Sequence, residues 1–203
     1  MTAPALVLLA QCATFLIMVM YTHPFKCTVT ALFLAVGFSL PAYAQESRLD
    51  ELYQQLLDAD EQDYARIESQ IMAQWERSGS AAMDLLLRRG KEALEEGQPD
   101  VAVEHFSALV DHAPDFAEGY YGRASSYYLL GLIGPALDDI QQTLRLNPRH
   151  FEAMRGLANI MQELEREEDA LELYELILTI NPNSDEAKLA VEYLTLQLEG
   201  QTL

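Results

Sequence analysis

Few side chains in this chain are of the types that do chemistry, and their spacing argues against a reactive centre. Past residue 44 there are three histidines, His105, His112 and His150. His105 and His112 are seven residues apart, two helical turns rather than the adjacent turns a helical metal pair needs. Asp111 and His112 adjoin, but no candidate nucleophile stands beside them. There is no His-Glu-x-x-His, no glycine-rich phosphate loop and no serine elbow. The acidic run from Glu163 to Asp169 lacks the ligand spacing and glycine turn of a calcium loop, so it reads as a solvated face and an inter-helix turn. Cys12 and Cys27 are too few for a disulfide framework or a zinc site. These residues predict no catalytic group, no cofactor and no metal, with the histidines as surface side chains.

Charge narrows the partners. Residues 1–44 hold no Asp or Glu and one basic residue, Lys26. Residues 45–203 hold all 32 acidic residues against 12 Lys and Arg, a net charge of −20. Phosphate neutralisation by a basic face is excluded, so nucleic acid is not an expected partner. Long-range attraction favours basic proteins and disfavours anionic membranes.

The first 44 residues read as an address. Residues 28–40 form an apolar run of 13, short for a bilayer span and of signal-peptide length. Lys26 precedes the run, Pro41 breaks it, and Ala42-Tyr43-Ala44 offers a cleavage site before Gln45. Cleavage there predicts a periplasmic or secreted protein without cysteine. Retention predicts a membrane anchor facing the periplasm. Residues 4–22 are a second apolar stretch, which leaves translation starts at Met18 or Met20, or a helical hairpin turning at 23–26, as alternatives. Gln11 before Cys12 argues against lipidation.

The remainder repeats. Pro114, Pro148 and Pro182 are spaced by 34 residues, defining windows 83–116, 117–150 and 151–184. Each window has a small residue at its eighth position (Gly90, Ala124, Ala158) and alanine at its twentieth (Ala102, Ala136, Ala170). Facing small residues let helix backbones approach closely. Large apolar residues recur at the fourth position (Leu86, Tyr120, Met154) and the twenty-fourth (Phe106, Ile140, Tyr174). Gly97 and Gly131 fall where a first helix stops, and Pro99 and Pro135 where a second begins. Each window is predicted to be two helices of about 14 residues. Asn147 and Asn181, before proline, are expected to end helices in the left-handed conformation.

This pattern resembles the tetratricopeptide repeat family, whose signature is Trp-x2-Leu-Gly-x2-Tyr, then Ala-x3-Phe, then Pro over 34 residues. Arg89 and Arg123 stand where Leu is usual, Glu165 replaces the turn glycine, and Thr143 replaces a common small residue. The resemblance implies an all-α, right-handed superhelical solenoid of antiparallel helix pairs whose first helices line a concave groove. It implies no enzyme but a protein-interaction module taking a helix or peptide of a partner. The family's inward positions are the second, fifth, ninth and twelfth. Here they include Asp84, Leu87, Lys91, Leu94, Glu118, Tyr121, Ser125, Tyr128, Glu152, Arg155, Asn159 and Gln162. Partner binding is expected of Lys91, Tyr121, Ser125, Tyr128, Arg155, Asn159 and Gln162, with plain packing as the other use of the tyrosines. At the carboxylate-clamp positions of one subgroup stand Leu87, Lys91, Gly122, Glu152 and Gly156; only Lys91 is cationic, which argues against chaperone tails.

Flanking segments complete the array. Residues 185–203 are predicted to be a capping helix and tail, with Asn183 and Glu186 as capping box and a polar outer face. Within 45–80, Leu49, Leu52, Tyr53, Leu56 and Leu57 mark one amphipathic helix, and Tyr64, Ile67, Ile71 and Trp75 a second. Gly79 then ends that helix and Ser80 caps the next. The pair reads as a degenerate repeat or cap burying Trp75 against the first repeat, or as a dimerisation surface over 46–78. The functional expectations are a periplasmic adaptor whose partner carries a basic segment, an envelope assembly factor resembling those of cytochrome maturation or cell-wall complexes, or a structural homo-oligomer. Whether the chain is a monomer or a homo-oligomer stays open.

Overall fold

The computed structural model describes residues 48–60 and 62–201, and the leader expected over 1–44 lies outside them. Among the described residues there are nine α-helices and no strand: α1 (48–58), α2 (Tyr64–Trp75), α3 (Ala81–Glu95), α4 (Pro99–His112), α5 (Ala117–Leu129), α6 (Ile133–Leu146), α7 (Phe151–Glu163), α8 (Glu167–Ile180) and α9 (Asp185–Gln201). None is long and apolar enough to cross a membrane.

The stride is kept. Second helices begin at Pro99, Ile133 and Glu167, and first helices at Ala117 and Phe151. From α3 to α9 each helix packs on the next, and α3 also meets α5. Ala102, Ala136 and Ala170 are fully buried, and so are Phe106, Ile140 and Tyr174 to within 4%. Phe106 is wedged between two glycines: a Cβ at Gly90 would lie 2.6 Å from its ring and one at Gly122 only 2.4 Å. At both positions only hydrogen leaves room.

All three intra-repeat turns share one geometry. The residue at the fifteenth position has positive φ: Gly97 at 71°, Gly131 at 74° and Glu165 at 56°. The next N–H reaches back five residues, as from Gln98 to Ala93, Leu132 to Tyr127 and Arg166 to Met161. This is the Schellman closure. Glu165 pays the left-handed cost without the freedom of glycine. Glu165→Gly should therefore raise stability by about 0.5–1 kcal/mol in urea denaturation.

Several local expectations are corrected. Asn147 and Asn181 are extended, at φ −131° and −130°, not left-handed. The following proline ring excludes the helical conformations, and each side chain instead accepts from the N–H two residues on. Ser184, not Asn183, caps α9 by accepting from the N–H of Ala187. Asn183 donates to the carbonyl of Ala59. Ser80 makes no side-chain cap; Asp84 in the first turn of α3 accepts from the Ser78 N–H and hydroxyl, which hold its carboxyl below the usual value. The outer face of α9 is not polar, since Leu189, Tyr193 and Leu196 are exposed.

The unusual residues of the repeats have partners. Arg123 grips Asp139 on the facing helix with two bonds of 2.7 and 2.9 Å. Thr143 is fully buried and donates to the carbonyl of Asp139 one turn back.

Candidate functional site: the concave face and its inner helix

The stripes on α1 and α2 demand an apolar seat. Leu52, Tyr53, Leu56, Ile67, Ile71 and Trp75 are all buried. They join the core shared by the second and third repeats and α9, whereas Leu87, Ala93, Ala102, Phe106 and Leu109 form a separate core in the first repeat. Trp75 is not a cap on the first repeat. Its ring stacks on His150 at 4.3 Å and meets Phe151 at 4.7 Å, at the start of the third repeat. An amphipathic stripe requires burial but does not say against what; here the shelf of two rings at the start of α7 takes it.

α2 makes contacts along the inner face of the array. Tyr64 donates to Asp185 at the start of α9 (3.2 Å), Glu68 faces Arg155 on α7 (3.7 Å), and Glu76, just past α2, pairs with Lys91 on α3. α1 is held alongside. Arg149 lies 3.9 Å above the Tyr53 ring and pairs with Asp50 at 2.7 Å. The Tyr53 hydroxyl donates to the Arg149 carbonyl, and burial pushes its pKa up to about 12.

His150 is not a surface histidine; it is 1% exposed. Its Nδ1 accepts from the N–H of Ala153, capping α7, so that nitrogen carries no proton. Nε2 therefore holds the hydrogen and donates to Glu118 at 2.9 Å. The imidazole stacks on Trp75 and also meets the Tyr121 ring, tilted by 50° with centroids 4.7 Å apart. Burial, with Glu152 and Glu118 nearby, raises the Tyr121 phenol well above its ordinary value.

Beside this stack a cavity of about 180 Å³ remains, lined by Trp75 and Glu76, by Leu87, Lys91 and Leu94 of α3, by Glu118, Tyr121 and Ser125 of α5, and by His150 and Glu152. That is below the ~300–1,000 Å³ of small-molecule pockets and suits one side chain.

The seven residues expected to bind a partner are thus divided. Lys91, Tyr121 and Ser125 meet at the cavity. Arg155 lies under α2, bonded to Glu152 (2.8 Å) and Glu186 (3.2 Å) as well as facing Glu68. Asn159 and Gln162 bond Tyr174 of their own repeat, and Tyr128 donates to Glu163. Sequence reading missed Trp75, His150 and Phe151 as parts of the inner face; the apolar stripe of α2 was the available signal. His105 and His112 stay apart from this face on α4, and among the described residues no cluster of three His, Cys, Asp or Glu could hold a metal ion.

Comparison with known proteins agrees with the geometry. The tetratricopeptide repeat family pattern matches residues 87–134 and 135–185. A repeat-containing protein of Rhizobium etli is 29% identical over 201 residues, 98% of each chain. Human DnaJ homolog subfamily C member 3 is 28% identical over 124 residues, 61% of this chain and 25% of that one. Among solved structures, the first tetratricopeptide domain of Spaghetti (RPAP3) bound to the HSP90 peptide SRMEEVD is similar with a TM-score of 0.54 and 24% identity, over 58% of this chain and 93% of that one. MamA is similar with a TM-score of 0.54 and 22% identity, over 74% of this chain and 84% of that one. At these identities the solved structures speak for the fold. With a 34-residue stride, left-handed turns at each fifteenth position and a matching family pattern, residues 87–185 carry tetratricopeptide repeats, the repeats of a family of protein-interaction modules.

Proposed function

We propose that this chain is a non-enzymatic adaptor that takes a helix or peptide of a partner protein on its concave face, through the cavity between Trp75 and Tyr121. The observation that carries the reading is that cavity: apolar rings surround a space of about 180 Å³, and Glu118 and Glu152 stand at its edge. Rigid aromatic side chains give large contact area at low entropic cost. The net charge of −20 on residues 45–203 supports a partner with a basic segment. The leader over 1–44, with its 13-residue apolar run and Ala-x-Ala site, supports a periplasmic setting. RPAP3 is described bound to an HSP90 peptide, SRMEEVD. An acidic tail of that kind is not proposed here, because Lys91 is already paired with Glu76 and the other clamp positions hold no cation.

The test is recovery of partners from the native envelope with the wild-type chain, Tyr121→Ala and Ser125→Leu. Either substitution should lower recovery at least tenfold, and recovery should fall as salt rises from about 0.05 to 0.5 M. Unchanged recovery with both variants contradicts the cavity, and insensitivity to salt contradicts the basic partner.

A further inference from the structure

Resting on that reading, we infer that α2 is a built-in stand-in for the partner: its seat on the concave face is a docking surface for an amphipathic helix, which enters as α2 leaves. The entering helix carries two branched aliphatic residues and one aromatic residue, each four positions after the last. That is the stripe α2 itself presents, with Ile67, Ile71 and Trp75 at 4%, 0% and 8% exposure.

Three features make this seat one that another helix can take over, although the apolar residues of α2 join the core of the array. First, α2 and Glu76 just after it reach the first helices of the first and third repeats and the start of α9, at Lys91, Arg155 and Asp185, as a groove ligand would. Second, one of its charged groups is unfavourably placed. Glu68 joins Glu152 and Glu186 around one guanidinium, and burial raises its carboxyl above the usual value despite Arg155. The seat is held by apolar contact, which another helix can supply. Third, α2 is poorly sealed on the α3 side. The 180 Å³ cavity lies there, and so does a charged cleft of about 430 Å³ containing Arg77, Arg88 and Glu92. The covalent link toward α3 is the segment 76–80, in which Arg77, Gly79 and Ser80 are exposed and Gly79 has φ 78°; on its other side α2 continues through 59–63 into α1, so a cut at 76–80 frees α1 and α2 together.

A tether this short holds α2 at an effective concentration on the order of millimolar. A free helix of equal affinity at micromolar concentration is then outcompeted about a thousandfold, so the seat of α2, unlike the cavity beside it, is closed until α2 is loosened.

The probe is a fluorescein-labelled peptide of residues 62–78, read by anisotropy against three forms of the full chain: wild type, Ile71→Asp, and wild type with a specific protease site inserted between Gly79 and Ser80 and then cut. The peptide should bind the Ile71→Asp chain and the cut chain at least tenfold more tightly than the uncut wild type. A peptide carrying Ile71→Asp should bind none of them. The proposal is overturned if the cut chain binds the peptide no better than the uncut one, or if it loses its helical circular dichroism on release of α2. It is also overturned if the opened chains dimerise in light scattering without taking up peptide, which would make the occupant a second copy. Failure here leaves the effects of Tyr121→Ala and Ser125→Leu standing; absence of those effects would remove the adaptor reading whatever the peptide does.

Discussion

Phe106→Ala is expected to cost about 3–5 kcal/mol and to unfold the first repeat before the others. The ring is fully buried, and it fills the space that Gly90 of α3 and Gly122 of α5 leave open. It therefore joins three helices at one point. The rest of this core is small: Leu87, Ala93, Ala102 and Leu109, with partly buried residues around them. Repeat arrays gain stability from each repeat and each interface, so loss at this junction weakens both the first repeat and its contact with the second. Urea denaturation gives the total, and hydrogen exchange should show α3 and α4 opening first while α7 and α8 stay protected. A loss under about 1 kcal/mol, or uniform opening, contradicts the wedge.

The second large effect is expected at Asp139. Its carboxylate is 9% exposed and takes both bonds from Arg123, whose guanidinium also lies 5.7 and 5.9 Å from the rings of Tyr120 and Tyr127. The Asp139 bond holds the Arg123 guanidinium even more firmly in its charged form than usual. Asp139→Ala leaves that charge half-buried without its partner and should cost about 3 kcal/mol. Replacing both, with Arg123→Leu, should recover most of the loss, because leucine at this position packs without a charge to satisfy. A double-mutant cycle in urea measures the coupling. A single-variant cost below about 1 kcal/mol, or additivity of the two changes, would show that the pair does not hold the two helices.

The repeats were largely legible in the sequence because their constraints are local. A left-handed turn selects glycine, and a proline forbids one more turn of helix. A close approach selects alanine or glycine at a fixed distance along the chain. Those rules placed Ala102, Ala136 and Ala170 in the core and located each turn. They also misjudged details where two local rules compete. Asn147 and Asn181 satisfy the proline that follows them rather than the left-handed cap their side chains allow. Arg123 appeared as a departure because its partner, Asp139, lies across a turn.

The binding face was legible only in part. Inward positions follow from the stride, so Lys91, Tyr121 and Ser125 came together as expected. What covers them does not follow from any local rule. The stripe of α2 states that a seat exists, but its seat is some 75 residues further on, at His150 and Phe151, and nothing in the intervening chain encodes that distance. His150 was equally hidden. Its cap on α7 is local, but its bond to Glu118 and its stacking on Trp75 exist only once three segments meet.

The placement of α2 on the concave face can be read from one side chain, because Trp75 is the chain's single tryptophan. Nuclear Overhauser cross-peaks from its indole ring, recorded on the full chain, should reach the rings of His150 and Phe151, which lie 4.3 and 4.7 Å away between centroids. Cross-peaks confined to Leu86 and Leu94 of α3, with none to His150 or Phe151, would place the helix at the end of the first repeat and leave the groove open from the start.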